Sequence, residues 1–153
     1  MNKNVVLPVD IALLNHPEQN VLAVSLSREA LHEWCLGLCL LKECLIETLI
    51  VTGERRKTSV RIRLGPEPEK ISTARATLAP DTNLLEIANN DLDRLRYFFL
   101  RYYRDGVADV DHLDLEAIDA NTGKKDIYIT FKVPDSKPPA SPAEAGRRLL
   151  GRG

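Results

Sequence analysis

The 153 residues carry 21 lysines and arginines against 22 aspartates and glutamates, a formal charge of −1, and 44% of them are apolar. That balance argues against a dedicated nucleic-acid binder, which normally shows a strong basic excess. It fits one soluble globular domain with core enough to need no staples. The longest apolar run, Trp34–Leu41, is far short of the ~20 residues of a membrane span. The N-terminus lacks the apolar core and cleavage site of a signal peptide, so a cytoplasmic location is expected.

In chain order, Val5–Leu14 reads as a strand broken by Pro8, which suits an edge or a bulge. Val21–Leu26 is a second strand. Ser27 is placed to cap a helix whose apolar stripe is Leu31, Trp34, Leu38, Leu41 and Leu45. Cys35, Leu36 and Leu40 make that helix apolar almost all round, which predicts cover on more than one side. Thr48–Thr52 and Thr58–Leu64 flank the turn GERRK as a hairpin. In the second of these, Val60, Ile62 and Leu64 alternate with Arg61 and Arg63, so one face is wet.

Pro66 and Pro68 mark a break, after which the order recurs. Lys70–Leu78 and Leu84–Ala88 are strands. Asn90 caps a helix with the stripe Leu92, Leu95, Phe99 and Tyr102, and Gly106 suits its C-terminus. Val107–Ile118 and Asp126–Val133 are strands around the turn DANTGKKD. The expected fold class is α+β. It is drawn as two packed ββαββ units, an antiparallel sheet with helices on one face, from halves 1–65 and 69–133 of a single domain 1–133. Residues 134–153 hold four prolines and a basic end, and read as a disordered, flexible tail. Its four basic residues against two acidic ones leave the body, 1–133, at −3.

The segment 107–119 carries Asp109, Asp111, Asp114, Glu116 and Asp119 with His112 between them and no basic residue. Three readings compete. A metal or acid/base site needs converging ligands, yet adjacent strand residues point oppositely. An acidic face for a basic partner fits Asp109, Asp111, His112, Asp114 and Glu116. A solvated strand face would be neutralised from within, with Arg94, Arg96, Arg101, Arg104, Arg61 and Arg63 as the expected partners. A second charged feature, Arg55, Arg56 and Lys57 with Arg61 and Arg63, is a candidate contact for an anion or an acidic partner. No glycine-rich phosphate loop accompanies it.

His32, Cys35 and Cys39 share a helix stripe, but a fourth ligand is missing and core packing is the simpler account. No motif of nucleophilic or metal catalysis occurs. No catalytic residue, metal ligand set or cofactor is therefore assigned. The aromatics at 97–103 exceed what one stripe buries, so Phe98 or Tyr103, beside Arg101 and Arg104, is expected at the surface as a partner contact.

The order LLEIA, amphipathic helix, Gly106, His112-Leu113-Asp114 and IYITFKV in residues 71–133 resembles modules of small bacterial immunity proteins. The resemblance implies a cytosolic binder without catalysis that neutralises a toxin. The expected partner is then another protein, a basic toxin domain being the named case, and neither nucleic acid nor membrane. Two rivals stay open: a ligand site or enzyme between the halves using His112 and Asp114, and a subunit that assembles through edge strand 5–14.

Overall fold

The computed structural model describes residues 1–15, 20–55, 57–66, 73–106 and 112–133. Nine strands and two helices follow in order. These are β1 (Asn2–Leu7), β2 (Val9–Asn15), β3 (Asn20–Leu26), α1 (Leu31–Lys42), β4 (Thr48–Gly53), β5 (Ser59–Leu64), β6 (Ala74–Thr77), β7 (Thr82–Ile87), α2 (Asn89–Asp105), β8 (His112–Asp119) and β9 (Ile127–Lys132). A single 3-10 turn, Arg28–Ala30, leads into α1. The fold is α+β, as expected.

The sheet is not. All nine strands form one sheet in the order β1-β4-β5-β7-β6-β8-β9-β3-β2. It is mixed rather than antiparallel, because β1–β4, β5–β7, β6–β8 and β9–β3 run parallel. The two packed ββαββ units are therefore replaced by one continuous layer, in which β5 and β9 each pair across to the other half of the chain. Local alternation shows that a strand exists, but not which distant strand it pairs with.

Pro8 explains the ends of that order. The expected strand 5–14 is two strands, β1 and β2, that lie at opposite edges of the sheet yet are separated only by Pro8. Before the proline the chain bonds toward β4, where Glu54 donates to the Leu7 carbonyl. After it the chain bonds toward β3, with Ser27 donating to the Pro8 carbonyl at 3.2 Å. Proline has no N–H to give to a ladder, so it marks the point where pairing changes sides. The two ends of the sheet thus meet at this residue.

One face of the sheet is apolar. Leu22, Val24 and Leu26 of β3, Leu49 and Val51 of β4, Val60 and Ile62 of β5, and Ile129 and Phe131 of β9 are fully or nearly fully buried in one cluster with both helices. Trp34 sits at its centre, edge-on to Phe99 at 5.4 Å and beside Phe131 at 6.1 Å. Such aromatic pairs contribute about 0.5–1.5 kcal/mol beyond their buried area. Gly37 lets α1 lie on β4: a Cβ there would stand 2.6 Å from Cδ1 of Leu49. The one buried polar side chain among the described residues is Asn83. Its Oδ1 accepts from the Ala79 N–H at 3.1 Å, and its Nδ2 donates to the Ser59 carbonyl at 3.2 Å.

Helix ends depart from expectation in two places. Helix α1 stops at Lys42, so Leu45 leaves the stripe and is exposed. Cys44 takes φ 58, a left-handed turn that its residue type does not announce. Helix α2 begins at Asn89 with Ala88 as its cap, two residues ahead of the cap read at Asn90. Its C-terminus is as expected: Gly106 adopts φ 76 and its N–H returns to the Tyr102 carbonyl at 2.9 Å. Arg28 donates to the Gly106 carbonyl, tying the start of α1 to the end of α2. Within the expected strands Lys70–Leu78 and Val107–Ile118 the described residues form β6 and β8, and residues 67–72 and 107–111 lie outside the described set. The tail 134–153 also lies outside it.

Candidate functional site

The acidic strand is β8, and its register is set by β9. His112 faces Lys132, Asp114 faces Thr130 and Glu116 faces Tyr128, all on the exposed side of the sheet. Asp109 and Asp111 lie outside the described residues. Glu116 accepts a 2.6 Å hydrogen bond from the Tyr128 hydroxyl and pairs with Lys125 at 3.0 Å. The Tyr128 bond and then Lys125 hold the Glu116 carboxyl below its ordinary value, while the same bond raises the Tyr128 phenol. Asp114 stands 3.4 Å from His112 Nε2.

Glu116 is thus met from the adjoining hairpin, by Tyr128 and Lys125, rather than by the helix arginines. Of the helix arginines, Arg94 reaches β8 at the Asp114 backbone carbonyl, 3.5 Å away. Arg63 belongs to β5, two strands removed from β8, and pairs with Glu86 at 3.3 Å. Arg61 lies beside Leu84 and Ile50 on the same outer face. Among the described residues no three histidine, cysteine or carboxylate side chains gather as a metal site.

The described arginines of the basic hairpin divide between two places, Arg55 at the Pro8 bend and Arg61 and Arg63 on β5. Arg56 lies outside the described residues. Arg55 lines an open groove of about 630 Å³ at the Pro8 bend, together with Asp10, Ser25, Ser27, Glu29 and Glu54. Among the described lining residues three carboxylates oppose one arginine, which disfavours an anion there. The Ser27 hydroxyl is buried without a hydrogen-bond partner and does not cap the helix start as expected. A serine nucleophile needs an adjacent base, and the described lining holds no histidine, cysteine or lysine.

The helix pair offers a different surface. Phe98, expected as a partner contact, is only 7% exposed and packs edge-on against Phe99 and Tyr102. One position back, Tyr97 is 72% exposed, and Tyr103 is 54% exposed. The sequence reading missed Tyr97, because a 3.6-residue stripe predicts one buried face, whereas α2 is covered both by the sheet and by α1. A helix-wheel count from Asp93, Arg96 and Tyr103, the residues that touch α1, would have found it. Those contacts are Lys42 to Asp93 at 3.1 Å, Arg96 to Cys39, and Tyr103 to His32, with the hydroxyl 3.2 Å from Nδ1.

His32 is therefore turned to Tyr103 and not to the cysteines. Cys35 is buried, and burial, followed by neighbouring Cys39, pushes its thiol up to about 12. A thiol so placed is a poor nucleophile at neutral pH. Cys39 lies against Arg96 in the groove between the helices, and Cys44 is exposed. No helix among the described residues is long and apolar enough to cross a membrane. Comparison of the chain with protein-family models, with characterised proteins and with solved structures finds no match.

Proposed function

We propose that this chain is a non-enzymatic protein-binding module whose contact surface is the outer face of the α1–α2 pair. One observation carries the reading. Of the eight large apolar side chains exposed among the described residues, four converge on this face: Leu36, Tyr97, Leu100 and Tyr103. The others, Met1, Val6, Leu14 and Leu45, are scattered over strands and ends. Tyrosine and arginine anchors with leucine around them are the mix that dominates binding energy at interfaces. The resemblance of residues 71–133 adds the specific version, an immunity protein acting on a toxin.

The test is affinity capture with the full chain, followed by purification of the captured protein and a titration against wild type and Tyr97→Ala/Tyr103→Ala. Both substitutions are on exposed positions, so the fold is kept. Loss of most of the affinity supports the reading, and unchanged affinity sinks it. A second reading places a basic partner on β8, because Asp114 and Glu116 are each about half exposed. Asp114→Lys/Glu116→Lys in the same titration separates the two.

A further inference from the structure

We infer that the segment recognised on this face is acidic as well as apolar: a stretch of another protein carrying aspartate or glutamate among leucines or aromatics, laid along α2. The inference rests on the reading of the helix pair as the contact face and goes on to name the partner's chemistry. Arg94, Tyr97, Arg101 and Arg104 fall at i, i+3, i+7 and i+10, which is one line along the helix. Ten residues at 1.5 Å each make a ridge about 15 Å long. All four side chains are exposed.

The charge of the ridge is opposite to that of the molecule around it. Helix α2 holds four arginines against three aspartates and α1 adds Lys42 against Glu33, so the helix pair is +1 in a body of −3. Two of the aspartates do little to cancel it outward. Asp91 is turned inward beneath Arg94, 16% exposed, and Asp93 is shared between Lys42 and Arg96. Asp105 holds Arg104 at 2.8 Å by one edge of the guanidinium. Arginine presents five donors in a planar fork, so a carboxylate-bearing partner can be met bidentately along the line. Tyr97 in the middle of the ridge, and Leu100 and Tyr103 on its α1 side, supply the apolar half of the contact.

Other occupants fit less well. A nucleic acid brings a phosphate charge every ~1.7 Å of duplex and would meet Asp91, Asp93 and Asp105 on the shoulders of a short ridge. A second copy in twofold symmetry would set arginine ridge against arginine ridge.

The experiment is selection of a phage-displayed library of random peptides on the full-length protein. The enriched peptides are then titrated against wild type, Arg101→Glu/Arg104→Glu and Tyr97→Ala/Tyr103→Ala, with circular dichroism to confirm the fold. The inference expects enrichment of acidic peptides with interspersed leucine or aromatic residues. Charge reversal should weaken them by about tenfold or more, and added salt should weaken them too. Enriched peptides that are neutral or basic, yet still lost with the tyrosines, would sink the acidic partner and leave the helix-face reading standing. Peptides insensitive to both variants, or no enrichment at all, would sink both. An oligothymidylate that binds more tightly than the peptides and depends on the same arginines would replace a protein partner by nucleic acid.

Discussion

Gly37 lies in the middle of α1, where alanine is the better helix former by about 1 kcal/mol. In an open helix Gly37→Ala would therefore stabilise. Here the added methyl would lie 2.6, 2.9 and 3.3 Å from Cδ1, Cδ2 and Cγ of Leu49, all inside ordinary contact distance. Leu49 is fully buried under α1, so its branches have no empty space to swing into. Forcing one methyl into such packing costs about 1–3 kcal/mol. Overpacking outweighs propensity, and Gly37→Ala should lower stability by about 1 kcal/mol. Leu49→Ala alone should cost about 2–5 kcal/mol through lost burial and the void it leaves. In that background the sign turns over: the new methyl enters the void, and Gly37→Ala should stabilise by up to about 1 kcal/mol. Urea unfolding of the four proteins measures this, read by the fluorescence of Trp34, the chain's one tryptophan and fully buried. If Gly37→Ala has the same effect with and without Leu49, within about 0.5 kcal/mol, α1 does not rest on β4 as described.

Asn83→Ala would leave the Ala79 N–H and the Ser59 carbonyl without their partner inside the sheet, and should cost about 1–3 kcal/mol in the same assay; a neutral result would mean water reaches both groups. The three thiols should react with a disulfide reagent in the order Cys44, Cys39, Cys35, with Cys35 modified only on unfolding; early labelling of Cys35 would contradict the packing of α1. The Tyr128–Glu116 bond has a defined pH window. Glu116 is lowered, so its contribution is present above the ordinary glutamate value of 4.5 and is lost as pH falls through the lowered one. Tyr128 is raised, so its contribution is present below the ordinary tyrosine value of 10.0 and is lost as pH rises through the raised one. Glu116→Gln should return the ultraviolet titration of Tyr128 toward its ordinary value, and an unmoved titration would remove the bond from the account.

Short-range periodicity was legible in the sequence. Val60 and Ile62 alternating with Arg61 and Arg63 gave β5 its two faces, and Leu92, Leu95, Phe99 and Tyr102 gave α2 its core side. Gly106 announced a left-handed helix end because glycine adopts it at no steric cost. What failed was long-range. Pro8 looked like a flaw in one strand, whereas it separates two strands on opposite edges of the sheet, and only the pairing of β1 with β4 and β2 with β3 reveals that. The parallel pairs have no local signature either, since their partners are far apart in the chain. The same limit misplaced the partners of Glu116: Lys125 and Tyr128 come from the adjoining turn and strand, and the register that brings them there is not written in the acidic segment itself. Leu45 carried the apolar stripe of α1 past its true end because a hydrophobic residue alone does not say whether the chain still turns as a helix.

The central claim is that a protein partner covers the outer face of α1 and α2, and hydroxyl-radical footprinting of the chain with and without its captured partner tests it most directly. Tyr97 and Tyr103 are exposed on that face, while Tyr128 lies on the other surface beside Glu116. The account expects oxidation of Tyr97 and Tyr103 to fall on binding while Tyr128 is unchanged. Protection of Tyr128 with Tyr97 and Tyr103 still oxidised would contradict it and move the interface to the acidic strand.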